Sequence, residues 1–270
     1  MPASDEMGGK VVLLTGATDG IGRAAALELA RRGARLALVG RSREKADGVL
    51  REVEAVSSPG RHRVLLGDLS SLAQVRTVAD AFLAGADRLD VLANNVGAVF
   101  AGRRLSADGF EMTFALNHLG PFLLTHLLLD LLRRTPGARV VTTSSGAHHM
   151  SRLDLSDVAR SEKGYAAFRA YGDSKLANVL FTRELARRLA GSGVRANCFH
   201  PGWVASRFGL DNPGLGPKLL ALVGPLLART PVKGAETLVW LASSAEAAGR
   251  SGEYFQDRRP GRLSRRARDP

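Results

Sequence analysis

Short apolar runs rich in valine and leucine alternate with amphipathic helical segments along nearly the whole chain. This alternation restricts the fold more than any other feature. Strand patterns fall at 11–15 (VVLLT), 35–40, 62–67, 89–95, 139–144, 194–200 and 253–255. Helical periodicity fills the gaps at 20–32, 42–56, 70–84, 107–133, 171–190 and 231–243. Continuously apolar strands separated by helices indicate a parallel sheet covered on both faces. The expected architecture is a doubly wound parallel α/β sheet of the Rossmann type, with ligands at the carboxyl ends of the strands. One domain over 1–257 is expected, with 258–270 as a basic tail. Irregular stretches occupy 145–170 and 201–230. The second is rich in Gly and Pro and carries Leu219, Leu220, Leu222, Val223, Leu226 and Leu227. Long loops within compact domains are usually functional, so 201–231 is expected to fold over an apolar substrate as a lid, with a permanently packed helix as the alternative.

Charge and cysteine content narrow the function classes. The net charge of +12 raises the question of an anionic partner, but six arginines lie within the last thirteen residues and the others are scattered along helices. Nucleic-acid binding is not expected, and the tail reads as a solvated extension or a contact for an anionic surface. The single Cys198 excludes an internal disulfide, fits a reducing compartment and lies in an apolar run that suggests a buried thiol. The apolar stretches are too short or too interrupted for a membrane span, and the N-terminus shows no signal-peptide pattern. The chain therefore reads as cytoplasmic. His148 and His149 are adjacent and point apart, and no Cys/His/Asp cluster suggests a metal site. A homo-oligomer is compatible with the sequence.

The first strand leads directly into TGATDGIG, with Gly16, Gly20 and Gly22 preceding a helix. Glycines there let the backbone turn tightly and approach a pyrophosphate, whose charge the helix N-terminus stabilises; a tight turn without ligand is the plain alternative. After the second strand the chain reads GRSREK, with no acid before Glu44 and with Arg41 in place. A carboxylate at this point holds a ribose hydroxyl, whereas arginine accommodates a 2′-phosphate. NADP(H) is favoured over NAD(H), although Asp19 gives a phosphate no help. Asp68 is suitably placed to accept from an adenine amino group, unless it or Ser70 serves as a helix cap.

Tyr171 and Lys175 are four residues apart at the start of a helical segment, so both lie on one face. A cation beside a phenol favours the ionised phenol and lowers its pKa, giving an acid and base usable near neutrality. A surface helix carrying an ordinary Tyr and Lys is the bland reading.

Six motifs in order then carry a resemblance: TGATDGIG, NNVG at 94–97, Asn117, the serine pair 144–145, YGDSK at 171–175 and HPG at 200–202. Over residues 10–255 the chain resembles the short-chain dehydrogenase/reductase family. DGFEMTFALNHLGPFLL, SSGAHH and KLANVLFTRELARRL look most like its retinol dehydrogenase branch. Residue usage heavy in Ala, Gly and Arg points to a GC-rich bacterial source, where retinoids are not expected as natural substrates. The resemblance implies an NADP(H)-dependent oxidoreductase acting on a small apolar carbonyl or alcohol; a silent regulatory or scaffold protein on the same fold is the alternative. By position, Tyr171 matches the general acid/base, Lys175 its ribose-binding partner, Ser145 the residue bonding the substrate oxygen, and Asn117 the holder of a relay water. Ser144 and Tyr165 are competing assignments. Gly16, Thr18, Asp19, Gly20 and Ile21 match cofactor contacts in the first turn. Arg41, Asp68, Leu69, Asn95, Gly97, Pro201 and Val204, with Tyr171 and Lys175, match the others. Val96 replaces the family's usual alanine, a bulkier group expected beside the nucleotide ribose, and Ser206 stands for its frequent threonine.

Overall fold

In the computed structural model, residues 6–58, 60–157, 165–204 and 228–268 are described. The first half of the chain alternates strand and helix: β1 (Val11–Thr15), α1 (Gly20–Arg31), β2 (Arg35–Gly40), α2 (Arg43–Ala55), β3 (Arg63–Leu66), α3 (Leu72–Leu83) and β4 (Val91–Asn94). A broken helical stretch follows, made of α4 (Met112–Phe114), a π-turn (Ala115–Leu119), α5 (Gly120–Leu127) and α6 (Leu129–Arg134). Then come β5 (Arg139–Thr143), a 3-10 turn (Gly146–Met150), α7 (Ala167–Arg188), β6 (Arg195–His200), α8 (Pro231–Ser243), β7 (Tyr254–Gln256), β8 (Arg259–Pro260) and α9 (Arg265–Arg268).

The sheet order is β3-β2-β1-β4-β5-β6-β7-β8, parallel throughout except for the antiparallel β7–β8 pair. Alternation along β1 explains the two cores. Val12 and Leu14 face one layer with Ala25, Leu29 and Leu238, while Val11 and Leu13 face the other with Val78, Leu124 and Leu132. Both layers are apolar because a parallel strand has no solvent face. The chain winds outward from β1 through β2 to β3, then returns to place β4 on the other side of β1. That reversal opens a crevice at the carboxyl ends of β1 and β4.

Element boundaries follow the sequence reading to within two residues, except that α4 begins at Met112 rather than 107, that α7 begins at Ala167, four residues earlier than read, and that β8 and α9 lie in the segment read as a tail. The segment read as one helix over 107–133 is interrupted for a specific reason. Pro121 has no N–H to offer the Asn117 carbonyl four residues earlier, and the Gly120 N–H bonds back to Ala115, five residues before it. The helix widens into a π-turn at Asn117.

The C-terminal segment, set apart on sequence as a basic tail, is packed onto the domain. Its arginines are exposed, while Ala267 is buried beside Leu176, Val179, Cys198 and Tyr254. Arg183 bonds the Ala267 carbonyl, Arg266 donates to the Ser151 carbonyl at 3.0 Å, and the Ser264 N–H donates to His148 Nε2 at 3.1 Å. Cys198 is fully buried and its thiol is pushed up to about 12 by burial. The expected lid, with Ser206, lies largely outside the described residues.

Ala267→Asp introduces an unpaired charge into this packed contact, at a cost of roughly 2–4 kcal/mol. Thermal unfolding should then fall by about 4 °C or more relative to the unsubstituted chain. An unchanged melting temperature would return the segment to the status of a solvated tail.

Candidate active site

The crevice between β1 and β4 is floored by backbone held in an unusual conformation. Gly16 has φ of +64°, and a Cβ there would come within 2.9 Å of the Val96 Cα. Glycine is needed both for the left-handed turn and for the close approach. Asn95 fastens this turn to the next strand. Its Nδ2 donates to the Thr15 and Gly16 carbonyls at 3.1 and 3.3 Å, and its N–H donates to Thr15 Oγ1 at 2.9 Å. Asn95 therefore props the turn with its side chain. The Val96 side chain packs against the second core cluster, which turns its extra bulk into the core.

The remaining cofactor candidates spread around the same crevice. Asp19 is the N-cap of α1, accepting from the Gly20 N–H at 2.7 Å, with Thr18 beside it packed over Gly40. Ile21 and Val204 converge over Gly234 on α8, next to half-buried Pro201. Arg41 directly follows β2 with its side chain 68% exposed, and its guanidinium lies 3.8 Å from Asp68. Asp68 also accepts from the Ser70 N–H and hydroxyl at 2.9 and 2.8 Å. Neither caps α3, because Ser71 takes that position. Leu69 is buried, with its backbone carbonyl and Cβ packed against Gly120.

The helix α7 carries Tyr171 and Lys175 to the carboxyl end of β5. Lys175 is only 2% exposed; its Nζ lies 5.5 Å from the Tyr171 ring centre and donates to the Thr143 carbonyl at 3.1 Å. Ser145, two residues beyond β5, is hydrogen-bonded to Tyr171 and accepts from the Ala147 N–H at 3.2 Å. Asn117 is fully buried. Its Oδ1 accepts from the Ala98 N–H at 2.8 Å, and its Nδ2 donates to the Ala98 carbonyl and Ser174 Oγ at 2.9 and 3.1 Å. A Cβ at Gly97 would lie 3.2 Å from Lys175 Nζ and 3.3 Å from Asn117 Oδ1. The glycine keeps open the space that both groups face.

The two competing residues are engaged elsewhere. Ser144 is buried and donates to the Lys175 carbonyl at 2.8 Å. Tyr165 donates to Glu111 at 3.0 Å, and Glu111 itself caps α4. The loop behind Ser145 is pinned by His148, whose Nδ1 donates to the Ser145 carbonyl at 2.7 Å, and by Asp173, which accepts from Ser151 and from the Arg152 N–H. Neither role is legible in residue type alone, since the partners are the Ser145 carbonyl for His148 and the Ser151 hydroxyl and Arg152 N–H for Asp173.

The acid–base prediction needs one correction. Burial pushes the Tyr171 phenol up to about 12, against the lowering effect of the Ser145 hydrogen bond. Burial also pushes the Lys175 ammonium down to about 7. The expected lowering of Tyr171 by a neighbouring cation is therefore overturned here. Lys175 sits over the ring and spends its proton on Thr143, and its own desolvation weakens its charge.

Among the described residues, no group of His, Cys, Asp or Glu is arranged to hold a metal ion, and no helix is long and apolar enough to cross a membrane.

A doubly wound sheet with a glycine turn at its switch point and a Ser-Tyr-Lys cluster beside it defines a dinucleotide-dependent oxidoreductase. A family model for short chain dehydrogenases matches residues 10–210, and the chain belongs to that family. Human retinol dehydrogenase 14 is 44% identical over 97% of this chain and 82% of its own length. Human retinol dehydrogenase 11 is 41% identical over 98% and 82%. Among solved structures, an uncharacterised protein from Mycobacterium paratuberculosis is 35% identical, with a TM-score of 0.77 over 97% of this chain and 88% of its own. The NADP complex of Pseudomonas aeruginosa RhlG is 29% identical, with a TM-score of 0.74 over 94% and 97%.

The burial of Lys175 has a pH signature. An ammonium with a folded pKa near 7 and an unfolded value near ~10.4 binds fewer protons when folded, so stability rises with pH between those values. The stability deficit of the unsubstituted chain relative to Lys175→Met should shrink between neutrality and about pH 10 in parallel urea titrations. A constant difference would mean that Lys175 is not buried as a base.

Proposed function

We propose that the protein is an NADP(H)-dependent reductase or dehydrogenase acting on the carbonyl or alcohol of an apolar small molecule. The observation that carries this reading is the meeting of Ser145, Tyr171 and Lys175 beside the gap over Gly97. The NADP-bound relative and an exposed Arg41 just after β2 support the phosphorylated nucleotide. The glycine turn and the N-terminus of α1 would hold the pyrophosphate, Lys175 the ribose, and Ile21 with Val204 the face of the nicotinamide. When bound, the cofactor supplies or accepts the hydride.

The residues of the chain do the rest. In reduction, the carbonyl oxygen gains negative charge. Ser145 and Tyr171 donate hydrogen bonds to it where that charge develops, and Tyr171 gives up its proton. A phenol pushed up to about 12 holds its proton until that charge appears. Lys175 then returns a proton to Tyr171, and Asn117 lines the route from solvent. In oxidation the same groups act in reverse. The retinol dehydrogenase relatives and the leucines of 219–227 support an apolar substrate.

Tyr171→Phe should keep NADPH binding and lose at least about a hundredfold in turnover; near-normal turnover would sink the mechanism. A panel of propanal, hexanal, decanal and retinal, followed by loss of nicotinamide absorbance, tests the substrate class. Efficiency should rise along the series, and propanal matching decanal would overturn the apolar assignment.

Arg41→Asp places a carboxylate where the 2′-phosphate would lie. The ratio of NADPH to NADH efficiency should drop by about tenfold or more. If the ratio stays the same, Arg41 is not the phosphate ligand.

A further inference from the structure

Asn178 follows Lys175 by three residues and Tyr171 by seven, on the same stripe of α7. It is 1% exposed, and both ends of its carboxamide are engaged. The Nδ2 donates to the Asn117 carbonyl at 2.9 Å and to the Thr143 carbonyl at 3.2 Å. Two carbonyl acceptors fix which way the amide points, since the reverse orientation would set oxygen against oxygen. Its Oδ1 then faces His118 Nδ1 at 3.0 Å, which requires that ring nitrogen to carry the proton.

Each of these contacts has a cause elsewhere in the chain. The Asn117 carbonyl is open to a side-chain donor because Pro121 has no N–H for it. The Thr143 carbonyl is the same atom that receives the Lys175 ammonium. His118 lies against the Phe114, Phe122 and Phe181 rings. Burial and the nearby Lys175 push it down to about 4, so it stays a neutral, single-tautomer donor at neutral pH. A carbonyl oxygen has two lone pairs. With the Asn117 carboxamide committed to Ala98 and Ser174, a relay water at Asn117 has its main-chain carbonyl to bind.

We propose that Asn178, oriented by His118, is a positioning residue: it couples the Asn117 carbonyl to the Thr143 carbonyl and so aligns the proton path that runs through Lys175 to Tyr171. This rests on the oxidoreductase reading above. It assigns no chemistry to Asn178 itself.

The test uses the full chain with NADPH and whichever aldehyde of the panel is turned over fastest. Asn178→Ala should lower kcat by about tenfold or more, because delivery of the proton becomes slow. NADPH affinity, read by fluorescence, should hold, and the solvent deuterium isotope effect on kcat should rise. A merely structural role would lower the melting temperature without moving the isotope effect. Unchanged kcat and isotope effect, with Tyr171→Phe inactive, overturn the Asn178 assignment and leave the mechanism standing. Active Tyr171→Phe overturns the mechanism instead. Should Asn178→Ala fail to fold, His118→Phe should show the same kinetic loss. His118→Asn, whose amide nitrogen takes the place of Nδ1, should restore the rate; equal kinetics for the two variants overturn the proposal. The geometry is read without turnover from the imidazole nitrogens of histidine-labelled protein. His118 should show only the Nδ1–H tautomer at neutral pH, and an Nε2–H tautomer would overturn the proposal even if no aldehyde reacts.

Discussion

The Lys175 ammonium lies in the interior of the domain and donates to one carbonyl at the end of β5. Desolvating an ammonium is costly, and the surrounding structure is organised to limit that cost. The strand must stop at Thr143 so that its carbonyl is not consumed by the sheet. The helix α7 must begin before Tyr171 so that positions 171, 175 and 178 form one stripe. The turn at Gly97 must lack a side chain, or a Cβ would crowd the ammonium. Ser144, Asp173 and Asn178 are buried on or against the same helix and tie it to β5, to the Ser145 loop and to the π-turn. Polar groups this deeply buried must be satisfied together, and this fixes the relative placement of the strand, the loop and two helices.

Most of the sheet was legible in the sequence because parallel strands are buried on both faces. Their continuous apolar runs announce themselves, and the helices between them keep a clean period. The glycine turn was legible for a similar reason, since backbone demands at Gly16 exclude other residues. The Tyr171–Lys175 spacing correctly placed two polar tips on one face. What it could not convey was the dielectric around them. Burial depends on residues far along the chain, so the sign of the Tyr171 shift was misjudged.

Other features were hidden because their partners are backbone atoms. His148 looks like a loop histidine until the Ser145 carbonyl and the Ser264 N–H are seen on either side of its ring. Asn95 reads as a ligand contact, yet its side chain holds the turn beneath the crevice. The break in the long helical segment had a visible signal, Pro121 placed four residues after Asn117, which apolar periodicity alone outweighed. The C-terminal arginines misled in the opposite direction. Charge suggested a free tail, while Leu263 and Ala267, spaced four apart among those arginines, mark the face that packs.

The contact between His148 and Ser264 joins residues separated by 116 positions. During synthesis at about 5–20 residues per second, the loop bearing Ser145 would wait roughly ten seconds for the segment that braces it. By then the glycine turn and the central strands have all been made. A nascent chain can thus assemble its glycine turn and central strands well before the Ser145 loop is secured, so the two halves of the candidate site should mature one after the other.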